Sequence, residues 1–439
     1  MNILVIDQEG LALAFILRCL RHDHHVKWFL MPGVANSTIG DGFRGVEKIT
    51  NWQDHVNWAD LIWCTGNDKY VQKLERLRNN DGINYFGPSS SSSSLEIKRK
   101  IGMQFLEKHG IIIPKYHIFQ SIRDAEIFAW KSSYPYVFKT LGDNEDKSLS
   151  YVSKTAADLV ARLQYWQRIG MNPKGEVMLQ EKIEGIEMGV SRWMGAEGFI
   201  GPYNENFEFK KLMSSDCGPN TGESGTVLAY VEDSKLGKEI LAPLEESLIE
   251  MGHQGDIDVN CIIDAAGQAW PLEFTCRVGW PAFNLQLAAH QGDPVEWMLD
   301  GCLGEDTLEV SKDIISGVVI AQSDYPYSRY TKRQTDDIPI YGVTKKNSAW
   351  IYPQHVKRTN IPVMIENKVQ INKEWATAGD YLLVVTGSGK TVSQSCARAY
   401  RVVEQIEVAD KLYRDDVGEK LEDNLVELHD MGYAIHFNY

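Results

Sequence analysis

Basic charge is what this sequence has too little of. Among 439 residues, 45 Lys and Arg stand against 60 Asp and Glu, a formal net charge of −15. Bare nucleic acid needs a basic face to neutralise its phosphates, so no polymeric nucleic acid is expected as a partner. Long apolar runs are missing as well. The longest, LALAFIL, is far too short to span a bilayer, and no membrane is expected. The opening MNILVIDQEG reads as a short strand without the basic n-region and cleavage site of a secretory leader, so the expected location is cytoplasmic. Cysteine is scarce: seven residues, at 19, 64, 217, 261, 276, 302 and 396, with no CxxC pair. An odd, scattered set excludes a disulfide framework and fits reduced thiols. In RHDHH, His22, His24 and His25 read as a helix-to-strand loop before they read as a metal site.

What is present is an alternation of strand and helix. NILVI, HVKWFL, ADLIWCTGN and INYFG read as strands, with GLALAFILRCL and KYVQKLERLR as helices between them. This βαβ order predicts an α/β fold opening with a parallel sheet covered on both faces. Six serines at 89–94 run straight into helical periodicity carried by Leu95, Ile101, Phe105 and Leu106, so they read as a helix entry rather than a linker. A smaller α+β segment follows, with KYHIFQ, YPYVFKT, LSYVSK and EVMLQEKI as strands. Beyond about 186 the chain is strand-rich, with one long amphipathic helix expected over about 234–252. IDVNCIID and AWPLEFTC read as two paired strands. Near the C-terminal end SGVVIAQ and YLLVVTGSG read as strands, and TVSQSCARAYRVVEQI as a helix capped by its Thr. A chain of this length predicts two to four lobes.

DCGPNTGESG, residues 216–225, has a composition that suits neither helix nor strand. It is a plain turn, or a backbone cradle for an anion with Asp216 beside it. Asp258 and Glu273 lie in the two paired strands, among Ile, Val and Leu. A carboxylate there is costly unless paired or bound to a cation, so they either share a Mg²⁺ or pair with Arg277. Lys139 ends its strand and either reaches the surface or contacts a ligand phosphate.

In order along the chain, YFGPSSSSSSLEIKRKIGMQFLEKHGI, DCGPNTGESG, PLEFTCRVGWP and YLLVVTGSGKTVSQSCARAYRVVEQI followed by YRDDVG resemble motifs of the ATP-grasp ligases, and among them of the glycinamide ribonucleotide synthetases. The counterparts are the FGP segment, DTGPNTGGMG, EFNCRFGDP and a C-terminal RxDIG. The resemblance implies an ATP-grasp fold with an N-terminal parallel-sheet, acceptor-binding domain over 1–90. A catalytic domain would follow over 91–305, with a nucleotide-covering lobe at about 115–185, and a small C-terminal α+β domain over 306–439. It implies amide formation through an acyl phosphate, with ATP and Mg²⁺ (or Mn²⁺) as cofactors, an amino acid and an amine as small-molecule substrates, and a monomer or homodimer. Arg99, Lys139 and Lys147 would contact ATP phosphates, Glu181, Lys182 and Ile183 the adenine, and Glu187 the ribose. Asp216, Gly218, Pro219, Asn220, Thr221, Gly222 and Arg277 would hold the amino acid; of these Asp216, Asn220 and Arg277 would act on its acyl phosphate. Glu273 would bind the metal, with Asp258 and Thr275.

The sequence departs from that pattern in three places. Thr275 replaces the Asn of EFN, a weaker ligand for which Asp258 and Asn260 compensate. The phosphate-covering loop reads LGDNEDKSLS, with Lys147 kept but Asp143, Glu145 and Asp146 added. The GxGGREHAL and GPE loops, which help hold the acceptor phosphate in the family, are DQEGLALAF and CTGND here, without Arg or His and with Asp7 and Glu9. The leading expectation is therefore a carboxylate–amine ligase using glycine or another small amino acid. Its acceptor is phosphoribosylamine, as in purine synthesis, or another amine; a regulator that binds nucleotide without catalysis is the rival. Weak use of phosphoribosylamine is expected, since its phosphate would be left to Lys69 or to backbone beside Gly33 and Gly66.

Overall fold

The computed structural model describes residues 1–34, 37–141, 150–171, 173, 175–327 and 335–439; Lys147 and its acidic neighbours lie outside these. Strands β1 (Asn2–Asp7), β2 (His25–Leu30), β3 (Glu47–Ile49), β4 (Leu61–Cys64) and β5 (Tyr85–Phe86) form an all-parallel sheet ordered β3-β2-β1-β4-β5. Ile3, Leu4, Val5 and Ile6 are all fully buried, which is why the first strand is one continuous apolar run. Helix α1 (Leu13–Arg21) follows β1 and α2 (Val71–Asp81) follows β4.

The serine run is a helix entry, as its periodicity predicts. Ser89 caps α3 (Ser90–Ile97) in a reciprocal capping box with Ser92. Helix α4 (Arg99–Lys108) follows at once. A second sheet of β6 (Tyr116–Phe119), β7 (Tyr136–Thr140), β8 (Tyr151–Val152) and β9 (Val177–Glu181) is ordered β6-β9-β7-β8 and antiparallel. With α5 (Ile122–Ala129) and α6 (Ala156–Arg168) it encloses its own small core around Phe138, Leu159 and Trp166.

The largest sheet is antiparallel and assembles distant parts of the chain. Strands β10 (Ile186–Met194), β11 (Phe199–Met213) and β12 (Cys217–Val231) join β13 (Gly255–Ile263) and β14 (Ala269–Thr275) on one side. On the other side lie β15 (Ile314–Gln322), the short β17 (Ile351–Pro353) and β20 (Tyr381–Gly389); between β15 and β20 in the chain, β16 (Asp336–Ile340), β18 (Val356–Ile365) and β19 (Lys368–Ala378) form a small sheet of their own. The short β21 (Lys411–Leu412) pairs with β15. The two larger cores are continuous: Ile3 and Val5 of the parallel sheet belong to the same buried cluster as Val227 and Val384.

Two sequence expectations are corrected. The helix over 234–252 is broken into α7 (Lys235–Ile240), a single 3₁₀ turn at Ala242–Leu244 and α8 (Glu245–Glu250). Pro243 has no N–H for an α-helical bond, and the chain kinks there. DCGPNTGESG is neither a free loop nor a bare turn. It opens β12, paired with β11 through Lys211–Asn220 and Met213–Cys217 in a two-stranded ribbon with irregular register. The turn itself is at 214–216, where Ser215 and Asp216 have positive φ of 56° and 51°. The glycines are tolerated because this half of the ribbon runs beyond the sheet: β12 meets β15 only from Gly225 to Leu228.

Candidate active site

The inner face of the large sheet is polar. Alternation puts Asn204, Asn206, Glu208 and Lys210 of β11 on one side, while Phe207 and Phe209 pack into the core. Across the sheet, Asp256, Asp258 and Asn260 of β13 and Glu273 and Thr275 of β14 share that side. These groups line a single cavity, closed at one rim by Arg277, Glu223 and the start of α9 (Ala282–Ala289).

The register fixes who meets whom. Asn260 lies opposite Glu273, and Asp258 opposite Thr275. Asn206 Nδ2 donates to Asp258 at 2.9 Å, passing over Gly189, where a Cβ would come within 2.4 Å of the Asn206 amide oxygen. Asn260 Nδ2 donates to Glu187 and Glu208, both at 2.8 Å. Its Oδ1 is buried and has no hydrogen-bond partner among the described residues. Lys210 Nζ sits between Glu187 at 2.7 Å and Glu208 at 3.0 Å. Glu273 accepts from Arg99 of α4 at 2.9 Å. Arg277 is held by Glu96 of α3 at 3.3 Å and donates to the Val278 carbonyl at 2.8 Å. Glu96 is itself fixed by Asn67 at 2.7 Å and the Cys276 N–H at 2.8 Å.

Electrostatically the cavity is short of cations. Burial drives Asp258 well above the usual carboxylate range, and the charges of Glu208 and Asp256 add to the rise. Burial and Glu208 do the same to Glu223, whose carboxylate accepts from Thr226. Asp256 is pushed up to about 7, again by burial. Burial alone would lower Lys210, but Glu208, Glu187 and Glu273 outweigh it and hold the ammonium charged. Mg²⁺ uses one or two protein carboxylates and leaves its other positions to phosphate oxygens and water. Glu273, Asp258 and the orphaned Asn260 Oδ1 fit such an ion. Among the described residues no group of three or more His, Cys, Asp or Glu forms an all-protein cage.

The structure brings together Glu273, Asp258, Thr275, Arg277 and Gly222 on this cavity and places Glu187 and Arg99 in contact with its polar groups. It separates Asp216 from Arg277. Asp216 is at the exposed ribbon tip, bound to Arg414 at 2.8 Å, with Lys420 at 3.7 Å. Burial would raise its pKa, but Arg414 and Lys420 hold it below the usual range. Gly218, Pro219 and Asn220 also belong to the ribbon beyond the cavity lining, and Thr221 donates to the Lys210 carbonyl at 2.8 Å. Of the two readings of these carboxylates, the pairing with Arg277 is not the one found: Glu273 meets Arg99, and Arg277 meets Glu96. Lys139 is buried at the end of β7 and donates to Gln180 at 2.7 Å. Glu181 ends β9 with its N–H on the Lys115 carbonyl at 2.8 Å, followed by Lys182, which pairs with Glu184, and Ile183. His24, singled out for its neighbours, is buried against Asp293 at 2.9 Å.

Sequence reasoning missed Glu208, Lys210, Asn206 and Glu96. The signal for the first three was the strict alternation in NENFEFK, which marks one polar face but not that the face is internal. Glu96 had no local signal, because its partners lie at 67 and 276–277.

Comparison with known proteins places this geometry. The family profile described as Phosphoribosylglycinamide synthetase, ATP-grasp (A) domain, matches residues 98–282, the stretch from α4 to the start of α9. Phosphoribosylamine–glycine ligase of Neisseria meningitidis serogroup B is 26% identical over 439 aligned residues, covering 96% of this chain and 99% of the relative. That of Escherichia coli K12 is 25% identical, covering 95% and 98%. Among solved structures, phosphoribosylamine–glycine ligase of Thermotoga maritima superposes with a TM-score of 0.68 at 20% identity, covering 95% of this chain and all of that one. An L-amino acid ligase of Bacillus licheniformis gives 0.58 at 13% identity, covering 93% and 98%. The chain has the ATP-grasp fold, with a parallel-sheet N-terminal part and a C-terminal α+β part, and resembles the phosphoribosylamine–glycine ligases at low identity.

Proposed function

We propose that this protein is an ATP-dependent carboxylate–amine ligase that forms an amide through an acyl phosphate, with glycine or another small amino acid as carboxylate donor. The observation that carries this reading is the cavity itself. Arg277 and Lys210 stand on it with Glu273 and Asp258, inside the stretch matched by the ATP-grasp domain profile.

The reaction needs a carboxylate oxygen to attack the γ-phosphorus of ATP, releasing ADP. The amine nitrogen then attacks the acyl carbon, phosphate leaves with that carboxylate oxygen, and the nitrogen loses a proton. Both steps spread negative charge over phosphoryl oxygens, so fixed cations do most of the work. Arg277 offers a planar two-pronged contact to the substrate carboxylate, and Glu96 holds it in orientation. Lys210 places a second positive charge on the sheet face, kept charged by Glu187 and Glu208. Arg99 and Lys139, with Lys147 of the undescribed segment, are the proposed phosphate contacts. Glu181 to Ile183 are the proposed adenine edge, and Glu187 the ribose contact. Glu273, Asp258 and Asn260 would hold Mg²⁺ or Mn²⁺, with Thr275 beside them, and the ion would neutralise phosphate oxygens. The ribbon segment 218–222 is proposed to cover the amino acid with backbone N–H groups. Asp216 ties that ribbon to Arg414 rather than touching substrate.

The test is ADP release with panels of amino acids and amines, with product masses read in parallel. ADP formation should require an amino acid and yield a mass equal to acid plus amine minus water. Glu273→Gln should lower it at least ~100-fold with an unchanged circular dichroism spectrum. If Glu273→Gln and Asp258→Asn both keep normal turnover, the metal site is wrongly assigned.

A further inference from the structure

In an open parallel sheet, ligands bind beyond the carboxyl ends of the strands where the order reverses, and an anion is held there by the N–H groups opening the next helix. In this sheet the reversal lies between β1 and β4, whose chains run on to α1 and α2 in opposite directions from the centre. The anion position at the end of β1 is already filled. Asp7, fully buried, turns its own carboxylate into the turn and accepts from the N–H groups of Gly10 at 3.0 Å and Ala12 at 2.8 Å, with Glu9 at 3.2 Å and Leu11 at 3.4 Å. Trp28 Nε1 at 3.1 Å and Thr65 Oγ1 at 3.2 Å complete the set, the latter from the end of β4. Burial raises the pKa of this carboxyl, and the N–H donors oppose the rise.

His355 Nε2 donates to the Glu9 carbonyl at 3.0 Å and packs on Tyr381, whose ring lies 5.8 Å from that of Tyr325. The Tyr381 hydroxyl is buried and has no hydrogen-bond partner among the described residues. A second anion entering at this turn would meet the Asp7 carboxyl, with the Gly10 and Ala12 N–H groups already spent.

We propose that the amine acceptor carries no terminal phosphate, because the Asp7 carboxylate already occupies the anion position at the end of β1. This rests on the ligase reading and departs from the acceptor named in the relatives. The experiment separates the two. First, ATP, glycine and hydroxylamine are mixed: hydroxylamine attacks the acyl phosphate from solution, giving glycine hydroxamate, ADP and phosphate without the natural acceptor. No hydroxamate counts against the ligase reading, not against the acceptor class. Second, ribosylamine and phosphoribosylamine, which differ only in the phosphate, are compared as acceptors at equal concentration. Ribosylamine should give at least ~10-fold more amide; the reverse order overturns the proposal. Third, ribose 5-phosphate is titrated calorimetrically against the intact protein. The native chain should bind it at least ~10-fold more weakly than Asp7→Gly does. Tight binding by the native protein overturns the proposal even if Asp7→Gly fails to fold.

Discussion

Arg277 is the residue whose environment argues most strongly for its role. A guanidinium on a cavity wall, braced by one carboxylate that is in turn fixed by a side-chain amide and a backbone N–H, is held to one orientation. Arg277→Lys keeps the charge and loses the fork, so kcat/KM for the amino acid should fall on the order of 10²-fold while thermal stability changes little. Steady-state kinetics with varied amino acid would show this, and an unchanged KM and kcat would remove Arg277 from the carboxylate site. Glu205 supplies an independent test away from the cavity. It is buried on the opposite face of β11, accepts from Ser234 at 2.6 Å, and burial pushes its pKa up to about 7. Its folded pKa exceeds its unfolded one, so the folded state binds the extra proton. That contribution is full below about pH 4.5 and is lost as pH rises through about 7. Glu205→Gln should therefore be less pH-sensitive, and above pH 7 more stable than the native chain by about 3 kcal/mol. Urea unfolding at pH 5 and pH 8 measures the difference. Single residues were legible where they broke a local rule: Asp258 and Glu273 stand out as charges in apolar strands. Glu208 and Lys210 break none, since a strand with one polar face usually shows that face to water.

At the scale of elements, the serine helix entry, the paired strands β13 and β14 and the Thr391 cap were readable, because each is set by neighbours in sequence. The ribbon of β11 and β12 was not. Its glycines and proline speak for a turn, and only pairing with a 15-residue partner strand makes them a strand. The broken helix at Pro243 was available in the sequence and was outweighed by its periodicity. Gly189 tests the packing of the sheet face directly. Adding a Cβ there meets the Asn206 amide at 2.4 Å and would force it off Asp258. Gly189→Ala should destabilise by about 1–3 kcal/mol and reduce activity. Removing the obstructing amide in Gly189→Ala/Asn206→Ala should recover part of the stability, and additive losses in the double variant would show that the two side chains do not compete.

Across the whole molecule, one sheet gathers strands from 186 to 412, and its polar face is where we propose the chemistry takes place. The segment order and the family-like motifs point to this architecture, but the long-range partners do not follow from them: Asp216 with Arg414 and Arg277 with Glu96 join residues 198 and 181 positions apart. Among the described residues no helix is long and apolar enough to cross a membrane. The central claim is that a substrate carboxylate is activated by phosphoryl transfer on this face. Glycine labelled with ¹⁸O in its carboxylate decides it, using the intact protein, ATP, Mg²⁺ and hydroxylamine as the trapping amine, with the released phosphate read by mass spectrometry. An acyl phosphate requires one labelled oxygen to leave in each phosphate, so the account predicts ¹⁸O in phosphate in proportion to ADP formed. ADP accumulating with unlabelled phosphate would mean that water, not a carboxylate, took the phosphoryl group, and would contradict it.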